Sequence, residues 1–249
     1  MESEIIYDCR WSDALDERFI EDYLYVQNEV FGNASRDEFS RQFEQNIYGR
    51  SVVVVVYIDR KPAAARALWR NDVCGHEAYQ PGSTCVLEAC RGKGVFKEMT
   101  KRAIGMLPID AVIYNFPNPN SFPGYIKMGW TNLHDYSLRL LITPKAYRKE
   151  HPVMMDKAYA DWWVNGREIY YTKRFGHYFL MRKDYRPLCY RIVAEVEKNV
   201  AERFAHVRYG LFFYKSEYTT WYSKRFAKAH VVTRNPELGY IPTWKIDAI

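Results

Sequence analysis

Arg91-Gly92-Lys93-Gly94 stands between a stretch of strand character ending near Ala89 and a run of helical spacing, Val95, Phe96, Met99, Ala103, Met106 and Leu107, which Pro108 closes. A strand, a glycine turn and a helix in that order can hold an anion. The first amides of a helix have no intrahelical partner, the helix dipole adds partial positive charge, and glycine lets a phosphate approach the backbone closely. Arg91 and Lys93 add full charges beside those amides. The spacing is neither G-x-x-x-x-G-K-[ST] nor G-x-G-x-x-G, so a nucleoside-triphosphate loop and a dinucleotide fingerprint are excluded. A Gly-x-Gly turn can also do no more than join a strand to a helix.

Other side chains nearby could move protons. Glu88 precedes the glycine turn, and a carboxylate there could accept a proton directly or through water. It could equally pair with Arg91. His76 and Glu77, in the polar segment upstream, are alternatives. Cys85 and Cys90 flank the turn with no histidine beside them, and they read as small buried residues rather than nucleophiles.

These residues need elements to carry them. Residues 5 to 9 read as a first strand, and Leu15, Phe19, Tyr23, Val26 and Val30 recur at helical spacing behind a cap at Ser12 or Asp13. Ser35-Arg36-Asp37-Glu38 is a capping box opening a second helix, with Phe39, Phe43 and Ile47 on its buried face and Gly49 at its end. Val52 to Tyr57 is an unbroken β-branched and aromatic run expected of a strand buried on both faces; Asp59 to Pro62 turn it into a partner, Ala63 to Trp69. Further strands are expected around Ser83 to Ala89, Ala111 to Asn115 and Tyr136 to Ile142. Between the last two lies Asn118-Pro119-Asn120-Ser121, leading to Tyr125 and Gly129-Trp130.

Residues 150 to 249 carry the chain's asymmetry. The formal net charge is +6, yet residues 1 to 149 hold 19 Lys/Arg against 19 Asp/Glu and residues 150 to 249 hold 17 against 11. A basic back half suits an anionic partner by long-range attraction, or is simply a solvated face. Strands are expected at Ile169 to Arg174, His177 to Met181, Cys189 to Val196 and Val207 to Tyr214, with a helix from Tyr218 to Ala229. With 48% hydrophobic residues and no low-complexity tract, the 249-residue chain can bury a real core. Five cysteines without a C-x-x-C pair indicate neither a disulfide framework nor a zinc site. The acidic start and the shortness of the longest apolar run argue against a targeting segment or a membrane span, and a reducing cytoplasm is expected.

The order of elements, with these residues in place, resembles the GNAT superfamily of acyl-CoA N-acyltransferases. Arg91 and Gly94 fall on the first and fourth positions of that family's Q/R-x-x-G-x-G/A pyrophosphate loop, and Phe96 departs from it at the sixth. Asn118, Ser121, Tyr125, Gly129 and Trp130 match the later N-x-x-A/S-x-x-x-Y-x-x-x-G-F signature, with Trp130 for Phe. The resemblance covers roughly residues 5 to 142. It implies an α+β fold with a mixed, mostly antiparallel central sheet flanked by helices, in which residues 1–145 form a GNAT-like catalytic domain. Residues 146–249 would be an α+β extension, acceptor-side or dimerising, and the phrase Tyr222 to Phe226, faintly echoing Tyr125 to Lys127, hints at a decayed second half.

It also implies a chemistry. Acetyl-CoA would be the acyl donor, with no metal. Its pantetheine arm would pass near Thr84 to Ala89 and Ala111 to Asn115, pairing with strand edges as an added strand does. Amides around Val86 would polarise the thioester carbonyl, and the loop of Arg91, Gly92, Lys93, Gly94, Val95 and Phe96 would hold the pyrophosphate, with Asn118 and Ser121 across the cleft. Phe96 is expected to point inward, since it shares a helical face with Met99 and Ala103. Tyr125 would protonate the leaving thiolate and Glu88 is a candidate base. The acceptor would be a small amine such as an amino sugar or nucleotide sugar. Arg167 and Arg174, near Trp162 and Trp163, would grip a phosphate or carboxylate on it. A non-catalytic acyl-CoA-binding protein on the same fold is the alternative. Nucleic acid is not an expected partner, because no RNA-binding or stacking motif accompanies the charge.

Overall fold

The computed structural model describes residues 4–73, 75–217, 229–234 and 240–248. In chain order, β1 (Ile5–Trp11) leads through a 3-10 turn to α1 (Glu17–Phe31), and α2 (Arg36–Phe39) runs into a π turn, Ser40–Glu44. Next come β2 (Val52–Ile58), β3 (Lys61–Arg70), β4 (Ala78–Val86), α3 (Val95–Gly105), β5 (Val112–Asn115), α4 (Phe122–Lys127) and β6 (Thr131–Leu140). The remainder holds α5 (Pro144–Glu150), α6 (Lys157–Val164), β7 (Tyr170–Arg174), β8 (His177–Lys183) and β9 (Cys189–Val196). It closes with α7 (Lys198–Ala201), β10 (Ala205–His206), β11 (Leu211–Ser216), β12 (Ala229–Thr233) and a 3-10 turn, Thr243–Ala248. Among the described residues the strands form a single twelve-stranded sheet in the order β1-β2-β3-β4-β5-β12-β6-β11-β9-β8-β7-β10. Pairing is antiparallel except between β4 and β5, β9 and β11, and β7 and β10. This is the mixed, mostly antiparallel α+β architecture that the sequence implies.

The front half is built on alternation. Val52, Val54 and Val56 face α3 with Ala64 and Leu68, while Val53 and Val55 face α1 with Ala65, Ala67 and Trp69. Small alanines on β3 let both helices lie close, and the strands bury both faces as a sheet covered on two sides must. The β2–β3 connection is tight because Asp59 and Arg60 both take left-handed backbone (φ 49° and 65°), as a two-residue hairpin turn requires.

Some expectations shift. Asp16, rather than Ser12 or Asp13, caps α1, its carboxylate accepting the Phe19 amide at 2.8 Å. Ser35 accepts the Glu38 amide at 3.1 Å, but the Glu38 carboxylate takes Gln42 Nε2 at 3.2 Å instead of closing the box. The following turn widens to i→i+5 (Gln45 N–H to Ser40 O, 2.8 Å), which ends helical structure before Gly49 and leaves Ile47 exposed. β4 begins at Ala78, five residues before the expected start. The expected strand at Val207 is Leu211–Ser216, and helices α5 and α6 occupy ground with no strong periodic signal. The helix expected at 218–229 and its echo of Tyr125 fall outside the described residues up to 228.

The sheet crosses residue 145 without a break. β12, from the far end of the chain, lies between β5 and β6 and is antiparallel to both. No helix is long and apolar enough to cross a membrane among the described residues.

Candidate active site

β4 and β5 pair only at Ala78–Val112 and Tyr79–Ile113, and then part. The cause is local. Pro81 has no N–H to give a neighbouring strand, and beyond it β4 carries a bulge, because Ala65 faces Cys85 while Ala67 faces Gly82. Ser83 and Thr84 thus oppose the single residue Arg66, and Ser83 takes a left-handed φ of 47°. The extra residue flips the strand: Tyr79 faces the α3 side, but Cys85, also odd-numbered, faces α1. Gln27 of α1 pins the bulge by donating from Nε2 to the Ser83 carbonyl at 2.5 Å.

The parted strands open a cleft of about 860 Å³. Its walls come from α1 and α2 on one side (Tyr23, Gln27, Glu38, Gln42), β4 from Pro81 to Val86, Arg91 and Phe96 at the head of α3, and Asn115 to Tyr125 on the other side. Of the expected site residues, Val86, Arg91, Phe96, Asn118, Ser121 and Tyr125 line it. The Leu87 amide donates to Ala63 O at 2.9 Å, so strand alternation turns the Val86 N–H and C=O toward the opened edge. The Val86 carbonyl accepts Arg91 Nε at 3.2 Å, which draws that guanidinium over the strand end.

Gly92 and Gly94 both have positive φ (77° and 75°), a backbone that side chains adopt only with strain, and together they aim the chain into α3. No side chain caps that helix, which leaves its first amides, Gly94 to Phe96, to solvent or ligand. Lys93 is exposed on the loop, and Val95 sends its side chain into the core. Phe96 also turns inward against the core, its ring set edge-on to Tyr125 at 5.8 Å between centroids. Asn118 Oδ1 gathers the amides of Asn120 and Ser121 at 3.0 and 2.9 Å, so it shapes the start of α4.

Tyr125 is buried on α4 and its hydroxyl oxygen accepts Arg66 Nη2 at 2.6 Å. Composition and motif spacing did not single out Arg66. Its signal is a lone charge within Ala63-Ala64-Ala65-Arg66-Ala67-Leu68, an otherwise apolar strand.

Glu88 lies away from the cleft. It is exposed on a 3-10 turn (Glu88–Cys90) rather than on the strand, because β4 ends at Val86. Among the described residues the carboxylate that lines the cleft is that of Glu38. Burial pushes the Cys85 thiol up to about 12, which keeps it protonated beside the site. Arg167 and Arg174 do not reach the cleft either. Arg167 lies over the buried Trp163 at 5.1 Å, and Arg174 donates to the Arg208 carbonyl at 2.6 Å. Neither arginine is among the residues that line the cleft. No group of three or more His, Cys, Asp or Glu side chains is placed to hold a metal ion among the described residues.

The fold recurs in solved structures. The chain is similar to a GCN5-related N-acetyltransferase from Kribbella flavida (13% identity, 91% of this chain and 72% of that one, TM-score 0.53). It is also similar to a conserved protein of Enterococcus faecalis described as a probable N-acyltransferase (14% identity, 93% and 72%, TM-score 0.51). No family model and no curated protein matches the sequence. The chain therefore shares the fold of these two structures, one of them a GCN5-related N-acetyltransferase.

Proposed function

We propose that the protein is an acyl-CoA-dependent N-acyltransferase, with acetyl-CoA the expected donor and a primary amine the acceptor. The observation that carries this reading is that one cleft is lined by Val86 of the opened strand edge, by Arg91 and Phe96 at the uncapped head of α3, and by Tyr125. Pantetheine amides would pair with the edge of β4 as an added strand, and the pyrophosphate would meet the α3 amides with Arg91 and Lys93. The Val86 amide would polarise the thioester carbonyl.

The amine nitrogen attacks the carbonyl carbon, the C–S bond breaks, and the thiolate sulfur takes the Tyr125 proton. The proton lost by the amine passes to water or to Glu38, whose place in the cleft favours it over Glu88. Direct attack is favoured over an acyl-cysteine step because the Cys85 thiol stays protonated.

The end beside α1 and α2 is walled by apolar side chains such as Leu24, Phe31 and Phe39, with Ser35 and the Glu38 carboxylate among them. That carboxylate suits the ammonium group of an amine acceptor, an amino sugar being the expected type. Among the described residues, all that line the cleft lie between Tyr23 and Tyr125. We therefore assign catalysis to residues 1–145 and read residues 146–249 as a buttress of the sheet or a surface for a second copy.

The test is release of free thiol from acetyl-CoA over a panel of amines, with CoA affinity measured by calorimetry. Thiol release that depends on amine supports the reading. CoA binding without turnover across the panel would select a non-catalytic acyl-CoA-binding role, and no CoA binding would sink both.

A further inference from the structure

Arg66 sits at 0% exposure in the middle of β3, where its neighbours on the same face are Ala64 and Leu68. Burying a guanidinium costs several kcal/mol unless a counter-charge compensates it. No carboxylate lies within ion-pair distance of Arg66 among the described residues. Nη1 donates to Thr100 Oγ1 at 2.8 Å, Nη2 donates to Tyr125 Oη at 2.6 Å, and Nε has no partner. Thr100 in turn donates to the Phe96 carbonyl at 2.6 Å, so its hydroxyl is fixed to accept from the arginine. Both hydrogen-bond partners are hydroxyl groups, and neither is a carboxylate.

Aromatic faces supply what stabilisation there is. The guanidinium carbon lies 5.1 Å from the Phe96 ring centroid and 5.6 Å from that of Tyr125. The bulky residue at the sixth loop position thus covers the charge. Its ring fits because residue 124 is glycine: a Cβ there would stand 3.1 Å from Phe96 Cε1.

A negative charge on the Tyr125 oxygen would complete this site. We propose that Arg66 is the positioning residue of the acyl-transfer step: it holds the phenol at the cleft wall and carries, ready in place, the charge that balances the phenolate left when the Tyr125 proton moves to sulfur. The inference rests on the acyl-transfer reading above. Such a preset donor acts on the transition state, where charge develops, and not on the ground-state binding of CoA. The proton balance closes when the phenolate regains a proton from solvent or from the ammonium of the next acceptor.

A double-mutant cycle decides it. R66M, which replaces the charge by an apolar chain of similar length, should lower kcat about 30-fold, leave the CoA Kd within twofold and leave the melting temperature unchanged or higher. R66K should recover a large part of kcat. R66M/Y125F should be no slower than Y125F alone, because Arg66 acts through that hydroxyl. Losses that multiply in the double variant, or an R66M defect that appears in CoA affinity with kcat intact, would overturn the proposal. If R66M does not fold, R66Q takes its place in the same cycle. A readout independent of turnover uses protein labelled with carbon-13 at the tyrosine Cζ. The signal absent from Y125F should shift in R66M without any substrate, and an unmoved signal refutes the pairing. A wild-type protein that binds CoA but transfers nothing would sink the acyl-transfer reading, and the Cζ signal would then show whether the arginine–phenol pair stands without it.

Discussion

At the scale of single residues, the site depends on two atoms and one backbone angle. On the proposed reading the Tyr125 hydroxyl, in the cleft wall, gives its proton to sulfur. Tyr125→Phe keeps the ring packed against Phe96 and Trp130 and removes only that proton. It should slow turnover about 100-fold while leaving CoA affinity unchanged, measured by steady-state thiol release and calorimetry. Gly94 governs the other end. Its φ of 75° strains any side chain, and a carboxylate there would face the pyrophosphate. Gly94→Asp should abolish CoA binding in a thermal-shift titration and cost about 1 kcal/mol in stability; retained binding would mean the helix terminus is not the phosphate site.

At the scale of elements, the cleft exists because β4 leaves β5, and the bulge at Ser83 and Thr84 is where it leaves. Gln27 ties that bulge to α1, so the helix that walls the acceptor end also fixes the strand that would hold the donor. Gln27→Leu removes the donor to the Ser83 carbonyl. It should lower stability by about 1–2 kcal/mol in urea unfolding and raise the KM for both substrates. Ser83→Gly acts the other way. It releases a residue from left-handed backbone and should stabilise by about 0.5 kcal/mol net, once the greater freedom of glycine in the unfolded chain is set against the relief of strain.

At the scale of the whole molecule, residues 146–249 continue the sheet beyond β5, with β12 paired to β5 and β6. His151, between the end of α5 and the last turns of the chain, is one of the clamps. Its Nε2 bonds the Lys215 carbonyl at 2.8 Å, and its Nδ1 meets the hydroxyls of Thr243 at 3.4 Å and Tyr240 at 3.5 Å. Burial, aided by the Lys215 charge and partly offset by the hydrogen bond to its carbonyl, holds the imidazole down to about 4. The folded protein therefore keeps this ring neutral in a range where the unfolded chain, with an ordinary histidine near 6.5, binds a proton. Stability must fall as the pH drops from about 6.5 toward 4, by up to about 3 kcal/mol from this group. The melting temperature should fall between pH 7 and pH 5. His151→Asn, which can keep both kinds of hydrogen bond without titrating, should reduce that fall. An equal fall in the variant would assign the acid sensitivity elsewhere.

The sequence alone determined what depends on neighbours along the chain. Alternating burial of Val52 to Val56, the strand, glycine turn and helix around Gly94, and the inward set of Phe96 follow from residue spacing, because side-chain direction repeats every two residues in a strand and every 3.6 in a helix. The hairpin at Phe175 and Gly176, and the strand Cys189–Val196, were legible for the same reason. Only the tertiary structure decided the rest. The bulge opposite Arg66 arises from how β3 and β4 register; Glu88 falls on the turn beyond the end of β4, whereas Glu38 reaches the cleft from α2. β12 takes its place between β5 and β6 from more than ninety residues away, which no local period can announce. Arg66 and Tyr125 meet across 59 residues of sequence, and among the described residues no basic side chain of the back half lines the cleft. Local backbone preference writes the elements, whereas long-range packing chooses which side chains share a buried space, and the chemistry of this protein lies in that second choice.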